Sequence, residues 1–387
     1  MDTLSACVET LRRLVAFPTV SSDGNRDLIA FLAERAEAAG ARVEVMTDAT
    51  GAKANLWATF GPEVDGGLVL SGHTDVVPVE GQDWSSDPFV LREAGGRLYA
   101  RGTCDMKGFI AAVMTVLPDL AASARVRPIH LAFTYDEEVG CFGARHLVEI
   151  LRPRATRPAM AIVGEPTSLR IIDGHKGCCE YTTRFTGLDG HGSRPDLGVN
   201  AIDYALRYAT RLLALGDDLA SRPPPGSAFS PPWTTVNIGR IEGGTARNVI
   251  AGQAQLEWEM RPVDWADAAW VKEALARYCE ATLLPAMRTI APQAAIETEV
   301  VGEVRGLDPR NDNPARDLVA SVLGANGTDL AAFGTEAGLF QDLGLSVVLC
   351  GPGRIDEAHK PDEFIEIAQL DRALHTLRGV AAAFARG

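Results

Sequence analysis

The sequence predicts an α/β protein carrying a smaller inserted α+β domain. Three observations lead to this class: helical and strand-like patterns alternate as far as Glu165, extended alternating stretches take over after Cys178, and the α/β pattern returns near the end. A chain of 387 residues exceeds one ordinary core, and at about 150 residues per domain we expect two. Hydrophobic residues make up 46% and charged residues 23%, a globular balance that allows a large core.

The elements follow in order. Residues 3–16 carry apolar positions at helical spacing and stop at Phe17-Pro18; 25–39 form a second helical pattern closed by Gly40. VEVM and NLWATF read as short strands, and LVLSG at 68–72 as a buried one. A Gly, Asp and Trp-rich stretch leads through RGTCDMKG to one long apolar helix from Phe109 to about Ala122. A strand from Ile129 to Tyr135 runs into Asp136, Glu137 and Glu138, a helix spans 144–151, and AMAIVG forms a strand ending at Glu165.

Beyond Cys178, CEYTTRF, a helix at 201–215, TTVNIGRI, QAQLEWEMRP and a helix at 266–283 give a β-α-β-β-α order, that of a small α+β sandwich. Residues 308–340 read as helices around FGTEAGLF; SVVLCG then forms a strand, RIDEAHKPDEF a loop with His359, and 365–386 the closing helix.

The charge of −14 and the lack of a basic stripe argue against a nucleic-acid partner. Seven cysteines without regular spacing fit a reducing compartment better than a disulfide framework. The first twenty residues lack the apolar core of a targeting segment, and no apolar run approaches the ~20 residues needed to span a bilayer. A cytoplasmic protein without a membrane partner is expected.

His73, Asp75, Asp105, Glu137, Glu138, Glu165 and His359 all fall just beyond strands or at helix starts, the edge where α/β sheets bind ligands. Alone, His73-x-Asp75 reads first as a solvated loop, and Asp105 equally as a helix N-cap. Together they make a mixed nitrogen and oxygen set, suited to Zn²⁺, Mn²⁺ or Co²⁺ better than to Ca²⁺ or Mg²⁺. Clustered carboxylates repel unless a cation compensates them. Two cations about 3.5–4 Å apart activate water, and one member of the Glu137-Glu138 pair is free to take its proton. The chemistry implied is hydrolysis of a carbonyl bond.

SGHTDVVPV, RGTCDMKG, DEEVG, GEPT and GPGRIDEAHKPDEF, in this order, resemble the signature of the aminoacylase and carboxypeptidase family of di-zinc hydrolases. The resemblance implies a zinc-peptidase-like catalytic domain, with a mixed central sheet flanked by helices, in two parts at 1–178 and 289–387. It also implies a ferredoxin-like lid and dimerisation domain at 179–288. Two zinc ions per subunit are implied, with cobalt or manganese as substitutes: His73 and Glu165 on one, Glu138 and His359 on the other, Asp105 bridging. Asp75 would orient His73, and Glu137 would be general base and acid. His191 in GHGSRP would stabilise the oxyanion, while Asn248, Arg261, Gly334 and Thr335 would contact substrate. HKGCCEY, GHGSRPDLGVNAI, GGTARNVI and FGTEAGLFQ are most similar to the branch that deacetylates N2-acetyl-L-ornithine, a small-molecule N-acyl amino acid, in arginine biosynthesis. That branch would act as a homodimer through the inserted domain.

Rival readings use the same machinery: a succinyl-diaminopimelate desuccinylase, another N-acyl-amino-acid deacylase or a dipeptidase. A non-catalytic binding protein would be expected to lack the base or a ligand. A nucleotide-dependent enzyme would need a GxGxxG or GxxxxGK[ST] loop, and none is present. Cys104 beside Asp105 invites a nucleophile reading, but the histidines are better explained as ligands.

Overall fold

The computed structural model describes residues 2–387, which divide into two compact units. The first runs to Gly174 and includes Leu307–Leu330 and Thr335–Gly387; the second comprises His175–Gly306 and Ala331–Gly334.

The first unit is built on an eight-stranded sheet in the order Arg42–Thr47, Ala54–Phe60, Ile129–Thr134, Gly67–His73, Pro158–Pro166, Ser346–Gly351, Ile172–His175, Asp329–Ala331. Gly67–His73 lies parallel to both of its neighbours, and Ser346–Gly351 is parallel to Pro158–Pro166. Arg42–Thr47 and Ala54–Phe60 run antiparallel, so the sheet is mixed. Every residue of Gly67–His73 and Ile129–Thr134 is buried, which is why these segments read as unbroken apolar runs rather than alternating ones. Helices cover the sheet. Thr3–Val15 starts on Asp2, whose carboxylate accepts the Ser5 amide at 2.7 Å, and buries Cys7, Leu11, Leu14 and Val15 in the core shared with Lys107–Thr115 and Ile367–Arg386.

Three details depart from the sequence reading. The long apolar helix is two, Lys107–Thr115 and Leu117–Ser123, because Pro118 in the first turn of the second brings no N–H to continue the ladder past Val116. Arg92–Ala94, Arg97–Tyr99 and Phe364–Glu366 form a small separate sheet whose strands are too short to carry a readable alternation. Asp329–Ala331 adds an edge strand where only helices were expected.

The second unit has the order Cys178–Thr186, Ala201–Ala220, Thr235–Gly243, Gln253–Arg261, Trp265–Tyr278, Ala295–Val304, a β-α-β-β-α-β arrangement of the ferredoxin-like kind. Its sheet is antiparallel throughout, ordered Thr235–Gly243, Gln253–Arg261, Cys178–Thr186, Ala295–Val304. Burial alternates along Gln253–Arg261, and the inward face packs Tyr181, Phe185, Leu256 and Trp258 against Tyr208 and Leu212. The expected return to the first domain at residue 289 is corrected to Leu307, since Ala295–Val304 is hydrogen-bonded along Cys178–Thr186. No helix among the described residues is long and apolar enough to cross a membrane.

Candidate metal centre

Parallel strands that end in register deliver their next residues to one edge. His73 is the last residue of its strand and pairs in register with Thr134, so the turn carrying Asp136, Glu137 and Glu138 emerges beside it. Glu165 lies at the end of the other parallel neighbour. Asp105 precedes Lys107–Thr115, but Met106 holds the cap position, and the Asp105 carboxylate turns to the histidines instead. His359 arrives on the loop after Ser346–Gly351, at a φ of 63°.

Two groups of potential ligand atoms result, each lying within 4.8 Å of one another: His73, Asp105 and Glu165, and Asp105, Glu138 and His359. Asp105 belongs to both. One of its oxygens lies 3.0 Å from His73 Nε2 and the other 3.2 Å from His359 Nε2. Glu138 lies 3.0 Å from the same His359 nitrogen. Glu165 Oε1 is buried and has no hydrogen-bond partner, although buried acceptors nearly always have a donor. A lone carboxylate oxygen beside an imidazole and a second carboxylate fits a cation, and the mixed donor set fits a transition-metal ion.

The electrostatics agree with the geometry. Burial, then the charge of Glu165, push the Glu137 carboxyl well above its usual range. Burial and Asp105 do the same to Glu165 and raise Glu138. Burial works against a charged His73, yet the neighbouring carboxylates of Asp105 and Asp75 lift it well above the ordinary histidine value. Hydrogen bonds with Asp105 and Glu138 push His359 up to about 10.

Asp75, expected to orient His73, directs its carboxylate mainly elsewhere. Its backbone carbonyl accepts from His73 Nδ1 at 2.9 Å, while its carboxylate stands 3.6 Å from that nitrogen. The carboxylate accepts instead from Ser21 Oγ at 2.7 Å and from the backbone amides of Glu137 and Glu138 at 3.1 and 3.3 Å. It thereby fixes the turn that presents both glutamates.

The sequence reading missed Glu363. Fully buried, it accepts from Arg101 at 2.8 Å and from the amides of Gly102, Cys104 and Asp105 at 3.0, 2.8 and 3.1 Å. The loop bearing His359 thus grips the loop bearing Asp105. Only its place in the HKPDEF segment hinted at it. Cys104 is no nucleophile: it is buried and donates to the Arg354 carbonyl, and burial raises its thiol well above the usual value.

The remaining candidates sit as follows. Thr335 is buried in the first unit, its Oγ1 accepting from the Ala337 amide. In the second unit His191 is exposed and hydrogen-bonded to Ser193 Oγ at 2.8 Å. Its strand pairs with Val249–Ile250, and the Asn248 carbonyl accepts from the Gly192 amide, so Asn248 lies beside it. Arg261 binds Glu259 at 2.6 Å, and Gly334 lies against Cys178. His175 is buried and burial holds it down to about 4.

Comparison with known proteins places this arrangement. The profile of peptidase family M20/M25/M40 matches residues 69–383. A protein of Proteus mirabilis (strain HI4320) described as "Acetylornithine deacetylase" is 36% identical over 375 residues, 95% of this chain and 94% of its own. Among solved structures, an M20 family metallo-carboxypeptidase from Sulfolobus solfataricus superposes with a TM-score of 0.79 over all of both chains at 18% identity. A dinuclear metal-binding peptidase of family M20 from Bacillus subtilis superposes at 0.65 over 98% of each at 16% identity. The chain therefore belongs to peptidase family M20/M25/M40 and is a metal-dependent hydrolase.

Proposed function

We propose that the protein removes the acetyl group from N2-acetyl-L-ornithine, giving L-ornithine and acetate, as a step of arginine biosynthesis in the cytoplasm. The chemistry rests on one observation, the sharing of Asp105 between two ligand groups with Glu137, a member of neither, half-buried beside them. The substrate rests on the likeness to the Proteus relative across nearly the whole chain.

In this reading His73, Asp105 and Glu165 would hold one zinc ion, and Asp105, Glu138 and His359 the other. Bound there, the pair would supply a Lewis acid for the amide carbonyl and would lower the pKa of water. Glu137 is placed to take the proton from an attacking water as its oxygen bonds to the acetyl carbon. His191 donates to the developing oxyanion. Glu137 then delivers its proton to the nitrogen as the C–N bond breaks, so that acetate and the free amine leave. Asp75 keeps the Glu137-Glu138 turn in place. Arg261 offers a planar fork for the substrate carboxylate, with Asn248, Gly334 and Thr335 as further contacts.

A homodimer through the second unit belongs to the same proposal. In its favour, Leu206 and Leu213 stand exposed two turns apart on Ala201–Ala220, and Thr235–Gly243 is an open sheet edge. The test is acetate release from N-acetylornithine by purified protein, before and after chelation and zinc restoration, beside Glu137→Ala. Metal-dependent turnover that disappears in the variant is expected. Turnover of N-succinyl-diaminopimelate or a dipeptide instead would overturn the substrate, and full activity after chelation would overturn the metal chemistry.

A further inference from the structure

Glu336 is a fully buried carboxylate with no ion pair to lysine or arginine among the described residues. Burying such a charge costs several kcal/mol unless it is compensated. Two hydroxyls point at it. Ser71 Oγ donates to Oε1 at 2.6 Å, and Thr134 Oγ1 donates to Oε2 at 2.7 Å.

The location of these donors gives the carboxylate its meaning. Ser71 lies two residues before His73 on the same strand, so both side chains leave by one face. Thr134 ends the adjacent parallel strand, directly before the turn that carries Glu137 and Glu138, and is the register partner of His73. The backbone closes the same junction: the Thr74 amide donates to the Thr134 carbonyl at 2.8 Å. On its other side Glu336 follows Thr335 and opens the helix Ala337–Asp342. One carboxylate thus spans the ends of two strands and anchors the loop that carries Thr335. An apolar side chain would fill the space, but it could not hold both hydroxyls in one orientation.

We propose that Glu336 is a positioning residue for hydrolysis, fixing the His73 strand end, the Glu137-Glu138 turn and the Thr335 loop relative to one another. Its activity readout rests on the deacetylase reading above; its spectroscopic readout does not.

The test is Glu336→Gln. The amide oxygen accepts from one hydroxyl while the amide nitrogen only donates, so either Thr134 loses its acceptor or Ser71 is left to the Ala132 carbonyl alone. With N-acetylornithine, kcat is expected to fall at least about tenfold while KM changes less than about threefold. The visible bands of the cobalt(II)-loaded protein should shift, and Tm should stay within a few degrees of the parent. Ser71→Ala should give part of the same shift, and the double variant should lose little beyond Glu336→Gln alone, because both changes break one link. Should Glu336→Gln fail to fold, Ser71→Ala keeps the carboxylate and yields both readouts. Unchanged cobalt bands and kcat with a lowered Tm would reduce Glu336 to a structural residue and overturn the proposal. If the parent enzyme leaves N-acetylornithine untouched, the substrate reading falls, while the cobalt bands still decide the role of Glu336.

Discussion

Two buried histidines stand at opposite ends of the central sheet, and burial has opposite consequences for them. His130, near the start of Ile129–Thr134, stacks on Trp57 with ring centroids 4.6 Å apart and shares a hydrogen bond with Thr59 Oγ1 at 2.9 Å. Burial, helped by Arg154 and Arg42, holds it down to about 3. It is a packed, neutral imidazole. His73, at the finishing end of the neighbouring strand, is buried still more deeply, yet Asp105 and Asp75 more than offset its desolvation. The difference is the company. One end of the sheet is filled to be stable, whereas the other collects buried negative charge that only a cation makes inexpensive.

The largest effect that sharpens this contrast is on rate. Replacing Glu137 with glutamine should lower turnover by about 10²–10⁴-fold, the usual reach of a general base, with metal content unchanged; kinetics paired with metal analysis of the same sample checks it. Next comes Glu165→Gln. The raised carboxyl of Glu165 means that the metal-free folded state holds its proton more tightly than the unfolded chain does. Its contribution is therefore fully present below the unfolded value and lost as pH rises through the folded one. Metal-free Glu165→Gln should melt higher than the metal-free parent at neutral pH, yet bind one equivalent fewer of zinc. Calorimetry after chelation and a metal titration read the two halves.

At the other end of the sheet the slope reverses. A histidine held down to about 3 takes up its proton first in the unfolded chain, so stability falls as pH drops from about 6.5 toward that value. His130→Phe keeps the stack on Trp57 and should flatten this acid limb in pH-dependent urea unfolding. A limb as steep as the parent's would mean that His130 is charged in the fold. The smallest effect belongs to the neighbouring Arg154 and Glu44, paired at 2.7 Å but partly exposed at 29% and 50%. Arg154→Ala should cost no more than about 1 kcal/mol in the same unfolding experiment.

Most of the site was legible because its residues sit at fixed offsets from strands that announce themselves. LVLSG predicts a buried strand, and His73 and Asp75 follow at its end whatever the tertiary detail. The partners that position the site were not legible. Glu336 meets Ser71 and Thr134, and Glu363 meets the Asp105 loop, across separations that no local pattern records. The sequence places Asp75 two residues after His73, but its hold on two backbone amides depends on where the next strand ends. The fold failed to read through at similar places. Ala295–Val304 alternates weakly because much of it is exposed, and only its pairing partner reveals which sheet it joins. The break at Val116 was visible in Pro118 and outweighed by the apolar run around it.

The loop-to-loop grip of Glu363 also sets an order of assembly. During synthesis, His73, Asp105, Glu138 and Glu165 leave the ribosome well before His359 and Glu363. At ~5–20 residues per second the delay after Glu165 is roughly ten to forty seconds. In that interval the whole second unit is made, its four-stranded sheet included. The first unit meanwhile lacks Ser346–Gly351, a central strand of its sheet, and the carboxylate that cradles the Asp105 loop. The nascent chain therefore carries a finished insert within an unfinished host, and the acidic cluster becomes a complete site only when the last stretch of the chain closes over it.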